Sequence, residues 1–215
     1  MTVRSLKFPL FVLLSFAFIM LILFVLTFPK FLIFDRLLMS KGVYMTAGSI
    51  EEGLVYVKLR DVNLYDSSSS IARFDELELS LGFLKLSISG LCGDGNLYIT
   101  FHALDGMDIK ASSFNCLRDL QVKKANIRVN RGIEGSIEFG NLTANNLRVD
   151  QLSINFKGRT FEAEAFVSGL KLLGEGIVVL NRKDMLKSSI NGTAVGGGLS
   201  LVVYGTIEKP QLSLK

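Results

Sequence analysis

Phe74-Asp75-Glu76-Leu77-Glu78-Leu79-Ser80-Leu81 decides the fold class. Leucine alternates with a polar residue, so an extended chain puts every leucine on one face and the carboxylates on the other. A helix would scatter the same leucines around its circumference. Gly82 interrupts, Leu84-Lys85-Leu86-Ser87-Ile88-Ser89 resumes the alternation, and Gly90 interrupts again. Further along, the same period returns in Leu97-Tyr98-Ile99-Thr100-Phe101, Leu152-Ser153-Ile154-Asn155-Phe156, Phe161-Glu162-Ala163-Glu164-Ala165 and Leu199-Ser200-Leu201. Gly, Asn or Asp stands in nearly every gap, as turns require. The chain from Gly42 onward is therefore expected to be mostly β, with around a dozen short strands. Ala125–Asn130 recurs as Asn145–Asp150 at a shift of 20 residues, which favours an elongated sheet that grows by adding hairpins.

Towards the N-terminus the pattern is different. Phe8–Phe28 (FPLFVLLSFAFIMLILFVLTF) is 21 residues without a charge or a glycine. As a helix it spans roughly 30 Å, the thickness of a bilayer's hydrocarbon core. Lys7 and Lys30 bracket it, Pro9 falls in the first turn, and Pro29 ends it. A cleavable signal peptide has a shorter apolar region and a small-residue cleavage site, which Leu26-Thr27-Phe28-Pro29 does not offer. The expected organisation is a cytoplasmic tail over 1–7, a transmembrane helix over 8–28, a juxtamembrane segment over 29–41 and an exported β domain over 42–215. Within the juxtamembrane segment Phe31–Ser40 reads as a short helix or as an extension of the anchor. Basic residues on the two flanks nearly balance, and a short tail without acids is most simply cytoplasmic.

Of the 215 residues, 49% are hydrophobic, too many for an ordinary soluble domain of this size, and the excess lies in the anchor. The formal charge of +4 also sits there: without Arg4, Lys7 and Lys30, 21 basic residues face 20 acidic ones. No basic face of the kind nucleic acid demands is expected.

Little in the chain speaks for catalysis. His102 is the one histidine, with no second ligand or base at motif spacing. Gly93-Asp94-Gly95 and Gly196-Gly197-Gly198 lack the lysine and following helix of a phosphate loop. Glu76/Glu78 and Glu162/Glu164 share the outer faces of strands. No catalytic residue, cofactor or metal site is expected. Cys92 and Cys116 admit a disulfide in an oxidising compartment, closing a loop of about 25 residues, or else two buried thiols. The apolar strand faces must be covered or offered to something greasy. Leu77, Leu79, Leu81, Leu84, Leu86, Ile88, Leu97 and Ile99 line a groove for acyl chains if the sheet half closes. They form an ordinary packed core if it closes fully, and the 16 phenylalanines are enough to fill one.

The succession of segments resembles a known family. After the anchor come Lys41–Ile50 (KGVYMTAGSI), Gly53–Leu64 (GLVYVKLRDVNL) and Ala72–Leu81 (ARFDELELSL) leading into Leu84–Gly90, and Gly205–Leu212 reads GTIEKPQL. This order is similar to type II secretion system protein N and the wider AsmA-like group of bacterial envelope proteins. The resemblance implies a single-pass protein of the bacterial inner membrane with its C-terminal domain in the periplasm. The implied fold is an elongated, bent antiparallel β-sheet, an AsmA-like trough or roll. Protein N is a non-enzymatic accessory of type II secretion, implying contacts with the secretion apparatus or other envelope proteins. The AsmA-like alternative implies a module that binds or transfers lipid, with the bilayer and phospholipid acyl chains as partners. No catalytic or cofactor residue comes with the resemblance.

Overall fold

Strict alternation lets a chain add strand after strand to one sheet, because every new strand presents the same face as the last. The computed structural model has this arrangement. It describes residues 13–20, 23, 29–66, 69–117, 120–144, 147–181, 187–206 and 210–214. Residues 13–20 are helical. Helix α1 (Lys30–Met39) leads into β1 (Tyr44–Thr46), β2 (Ser49–Glu52), β3 (Tyr56–Tyr65), β4 (Ser70–Gly82), β5 (Lys85–Cys92), β6 (Gly95–His102), β7 (Gly106–Leu117) and β8 (Leu120–Val129). Then follow β9 (Ile133–Ala144), β10 (Leu147–Val149), β11 (Gln151–Gly158), β12 (Thr160–Val167), β13 (Leu170–Val179), β14 (Ser189–Gly196), β15 (Leu199–Thr206) and β16 (Pro210–Leu214).

All sixteen strands belong to one antiparallel sheet. Strands β1 and β2 lie end to end along β3, and β10 and β11 lie end to end along β9. Otherwise each strand pairs with its successor in the chain, so the topology is an uninterrupted meander. The protein is thus mostly β and built on one long antiparallel sheet.

The register aligns the apolar residues across the whole sheet. From β3 to β15 one row runs Val57, Leu79, Ile88, Ile99, Ile109, Ile127, Gly135, Phe156, Phe161, Gly176, Gly192, Val203. The parallel row two positions away runs Leu59, Leu77, Gly90, Leu97, Ala111, Ala125, Ile137, Ile154, Ala163, Gly174, Ala194, Leu201. Neither row contains a polar side chain. The row between them, on the opposite face, begins Lys58, Glu78, Ser89, Tyr98, Lys110, Asn126. That polar face carries partly exposed ion pairs such as Lys58–Glu76 (2.8 Å). One face is therefore continuously apolar over twelve paired strands and the other is solvated.

The sheet curls where its strands differ in length. The β5–β6 hairpin ends at Gly93-Asp94, whereas β4 and β7 run past its tip and pair there, Ala72 opposite Leu117. The Phe74 and Phe114 rings meet above the tip, centroids 6.1 Å apart. A disulfide between Cys92 and Cys116 ties the tip to β7. Curling buries Leu59, Leu77, Ala111 and Ala125, the inner apolar row at this end, in one core cluster. Two further clusters continue along the same face, around Phe161 and Val178 and around Leu172 and Leu201. The other row stays half-buried at Leu79, Ile88, Ile99, Ile109 and Ile127. The accessible surface is 14633 Å², against roughly 9,800 Å² for a compact monomer of this mass.

Among the described residues no helix is long and apolar enough to cross a membrane. The span expected over 8–28 falls largely on residues 8–12, 21–22 and 24–28, outside the described residues. Helix α1 occupies most of the stretch in which a short helix was expected.

Candidate functional site

An almost wholly apolar cavity lies where α1 crosses the near end of the apolar face. Its volume is about 440 Å³. The walls are Val55 before β3, Tyr56 and Val57 within it, Leu79 and Leu81 of β4, Leu86 and Ile88 of β5, and Phe101 of β6. The roof is Ile33, Phe34 and Leu37 of α1, with Lys30 at the rim. Lys30, Ile33, Phe34 and Leu37 fall at i, i+3, i+4 and i+7, so one helix face meets the sheet. Ile33 and Leu37 remain more than half exposed, as do Leu81 and Val55, so the cavity opens to solvent.

What holds α1 there is not local. Pro29 precedes the helix and offers no side-chain cap. The Glu52 carboxylate at the end of β2 takes over, accepting from the amide of Lys30 (3.1 Å) and that of Phe31 (3.0 Å). A carboxylate at a helix N-terminus satisfies orphan amides and complements the helix dipole. At the other end Ser40 Oγ donates to the Leu37 carbonyl (2.7 Å), and a turn through Gly42 leads into β1. Next to Glu52, Glu51 accepts a hydrogen bond from the Tyr56 hydroxyl (3.0 Å), which raises the Tyr56 pKa.

Four of the eight leucine and isoleucine positions expected to form a groove, Leu79, Leu81, Leu86 and Ile88, line this cavity. Leu77 lies one row away, buried in the core cluster. Leu97 and Ile99 continue the two apolar rows on β6, half-buried and beyond the cavity wall. Leu84 is corrected: it is in the turn between β4 and β5 at φ +54°, 54% exposed, and is not among the residues lining this cavity. Alternation alone put it in phase with Leu86, but the tight turn between the strands takes it off the face. The α1 roof and Lys30 were missed, although their helical spacing was visible in the sequence.

The structure places the other chemical candidates in pairs and small clusters on the strands. His102 Nε2 lies 3.3 Å from Asp108 Oδ2, and Asp108 Oδ1 accepts from Arg128 Nε (2.9 Å). The Arg128 hydrogen bond, helped by His102, holds the Asp108 carboxyl below the usual aspartate range. Glu162 opposes Glu175 across the β12–β13 pair, and Lys157 at 2.8 Å offsets the Glu162 charge. Among the described residues no group of three or more His, Cys, Asp or Glu is placed to hold a metal. At one edge of the sheet β2 is short, fully exposed and carries Glu51 and Glu52, features that discourage pairing with another chain.

Fold and site together define a class: a single-sheet antiparallel β protein with one continuous apolar face, roofed at its first strands by a short helix. No protein-family model matches the chain, and no solved structure matches it. A protein of Aquifex aeolicus (strain VF5), described as an uncharacterized protein, is 31% identical over 189 residues, covering 88% of this chain and 86% of that one. The chain belongs to the same family as that Aquifex protein.

Proposed function

We propose that this is a non-enzymatic, AsmA-like protein of the bacterial inner membrane that holds lipid acyl chains along a periplasmic β trough. One observation carries the reading: an apolar face unbroken by any polar side chain over twelve paired strands, half-open along the Leu79–Ile88–Ile99–Ile109–Ile127 row. A protein rarely leaves so long an apolar strip partly open to solvent without something to put on it. Supporting it, the strip begins beneath α1, which follows the predicted anchor over 8–28 directly in sequence. The anchor and the translocated β domain belong to the same proposal. A role as accessory of type II secretion, acting by protein contacts, is the competing assignment. It would act through a sheet edge or the anchor helix; the β2 edge is short and acidic, and β16 forms the other edge.

The test is direct. The full chain, produced in a bacterial envelope and purified in mild detergent, is extracted with organic solvent and its lipid counted by mass spectrometry. An unrelated single-pass protein in the same detergent sets the background. Lipid at or above one molecule per chain over background is expected. Lipid at background sinks the trough and redirects the search to secretion-apparatus proteins.

A further inference from the structure

We infer that the cavity beneath α1 is a receiving site for a single acyl chain of an anionic lipid, with Lys30 placed to meet the headgroup. This rests on the lipid trough proposed above and names what enters it, and where.

Three observations converge. The first is volume. At roughly 30 Å³ per water-sized group, 440 Å³ accepts a chain of about 15 methylenes. The volume matches one chain, and the second chain of a diacyl lipid then lies further along the face or in the bilayer. The second is chemistry. The walls are apolar apart from the Tyr56 hydroxyl, which is engaged with Glu51, and Lys30 is the one charged residue lining the cavity. The neighbouring carboxylate, Glu52, accepts from the amides of Lys30 and Phe31 and faces the positive end of the α1 dipole, which offsets part of its charge. The third is position. Lys30 lies two residues beyond Phe28, the last residue of the predicted span, and a lysine there snorkels to headgroup depth. An anionic headgroup at Lys30 then has its chain aligned with the cavity under Ile33 and Leu37. Lysine near a membrane surface favours anionic over zwitterionic lipid by about fivefold.

The experiment uses the full chain in phosphatidylethanolamine vesicles. These are doped with phosphatidylglycerol, or separately with phosphatidylcholine, each carrying a diazirine midway along one chain. After illumination the labelled peptides are mapped by mass spectrometry. Labels are expected on the peptides bearing Ile33–Leu37 and Leu79–Ile88, at one lipid per chain, in excess of any on the anchor alone. Lys30→Gln is expected to lower phosphatidylglycerol labelling of those peptides about fivefold and leave phosphatidylcholine labelling unchanged. Leu86→Trp fills the cavity and should abolish both. Leu81→Trp, at an exposed wall position, does the same at less risk to folding, which the Cys92–Cys116 bond and circular dichroism report. Labels confined to the Ile109–Val203 part of the face would overturn the receiving site and leave the trough intact. Phosphatidylglycerol labelling indifferent to Lys30→Gln would overturn the headgroup assignment. No label anywhere on the β domain would remove both the site and the trough.

Discussion

The Glu52 carboxylate accepts a hydrogen bond from the Phe31 amide at 3.0 Å, across 21 residues of sequence. A helix N-terminus is ordinarily capped from the residue just before it, but Pro29 has no acceptor side chain to give. The sheet supplies the cap through β2, and so the roof of the apolar cavity is latched to the sheet. Removing the carboxylate with Glu52→Ala should cost about 1 kcal/mol of local stability. It is expected to raise amide hydrogen exchange at residues 30–34 and leave β3–β9 unchanged. Exchange at those amides equal to that of the parent chain would mean α1 is held by its apolar face alone.

Cys92 and Cys116 join the β5–β6 tip to the overrunning end of β7. Closing that loop should contribute about 3 kcal/mol through the restricted unfolded chain. The Cys92→Ser/Cys116→Ser pair is expected to lower the denaturant midpoint accordingly, and reductant should do the same to the parent. Phe74 and Phe114, packed above the tip, should keep the curl in place, so near-native circular dichroism is expected below the transition.

Phe161 lies across two glycines of its own register row. A Cβ at Gly192 would come 2.7 Å from the Phe161 ring, and one at Gly176 would strike both that ring and the Asn191 carbonyl. Neither glycine has a positive φ, so the demand is for space rather than for backbone freedom. Gly192→Ala should destabilise by about 1–3 kcal/mol, as overpacking does. Combining it with Phe161→Leu should recover part of that loss, which a double-mutant cycle in urea would read. Simple additivity of the two changes would show that the ring does not occupy that space.

Asp108 is held below the ordinary aspartate pKa first by the Arg128 hydrogen bond and then by His102. A carboxyl with a depressed folded pKa adds stability that is fully present above its unfolded pKa, near 4, and is lost as pH falls through the folded value. The stabilisation is thus expected at neutral pH and fades in acid. NMR titration of the Asp108 carboxyl should find it below the ordinary aspartate value, and Arg128→Ala should move it upward. An unmoved titration would place the cause elsewhere.

Leu77, Leu79 and Leu81 show how far sequence reading reaches. Their alternation, the glycine breaks around them and the polar residues between them are local facts, and period two can satisfy them only in a strand. The mostly β fold, the one-sided strands and the short helix before them were legible for that reason. So were four of the cavity's lining positions, because a leucine in phase with its neighbours shares their face. Leu84 marks the limit. It shares the phase, but a tight turn lifts it out of the sheet, and alternation does not reveal where one strand stops and the next begins.

What the tertiary structure decided is everything that depends on register and on distant chain. Val57 and Val203 belong to one apolar row only because eleven successive pairings each keep the faces aligned, and a one-residue slip anywhere would turn the row to solvent. Leu77 became core and Leu79 cavity wall because the sheet curls over the β5–β6 tip, a consequence of unequal strand lengths. The roof over Leu86 depends on Glu52 reaching back to Phe31. Side-chain period is set by the backbone of each residue and can be read locally. Register, curl and capping are set by contacts between residues tens of positions apart, and no local pattern contains them.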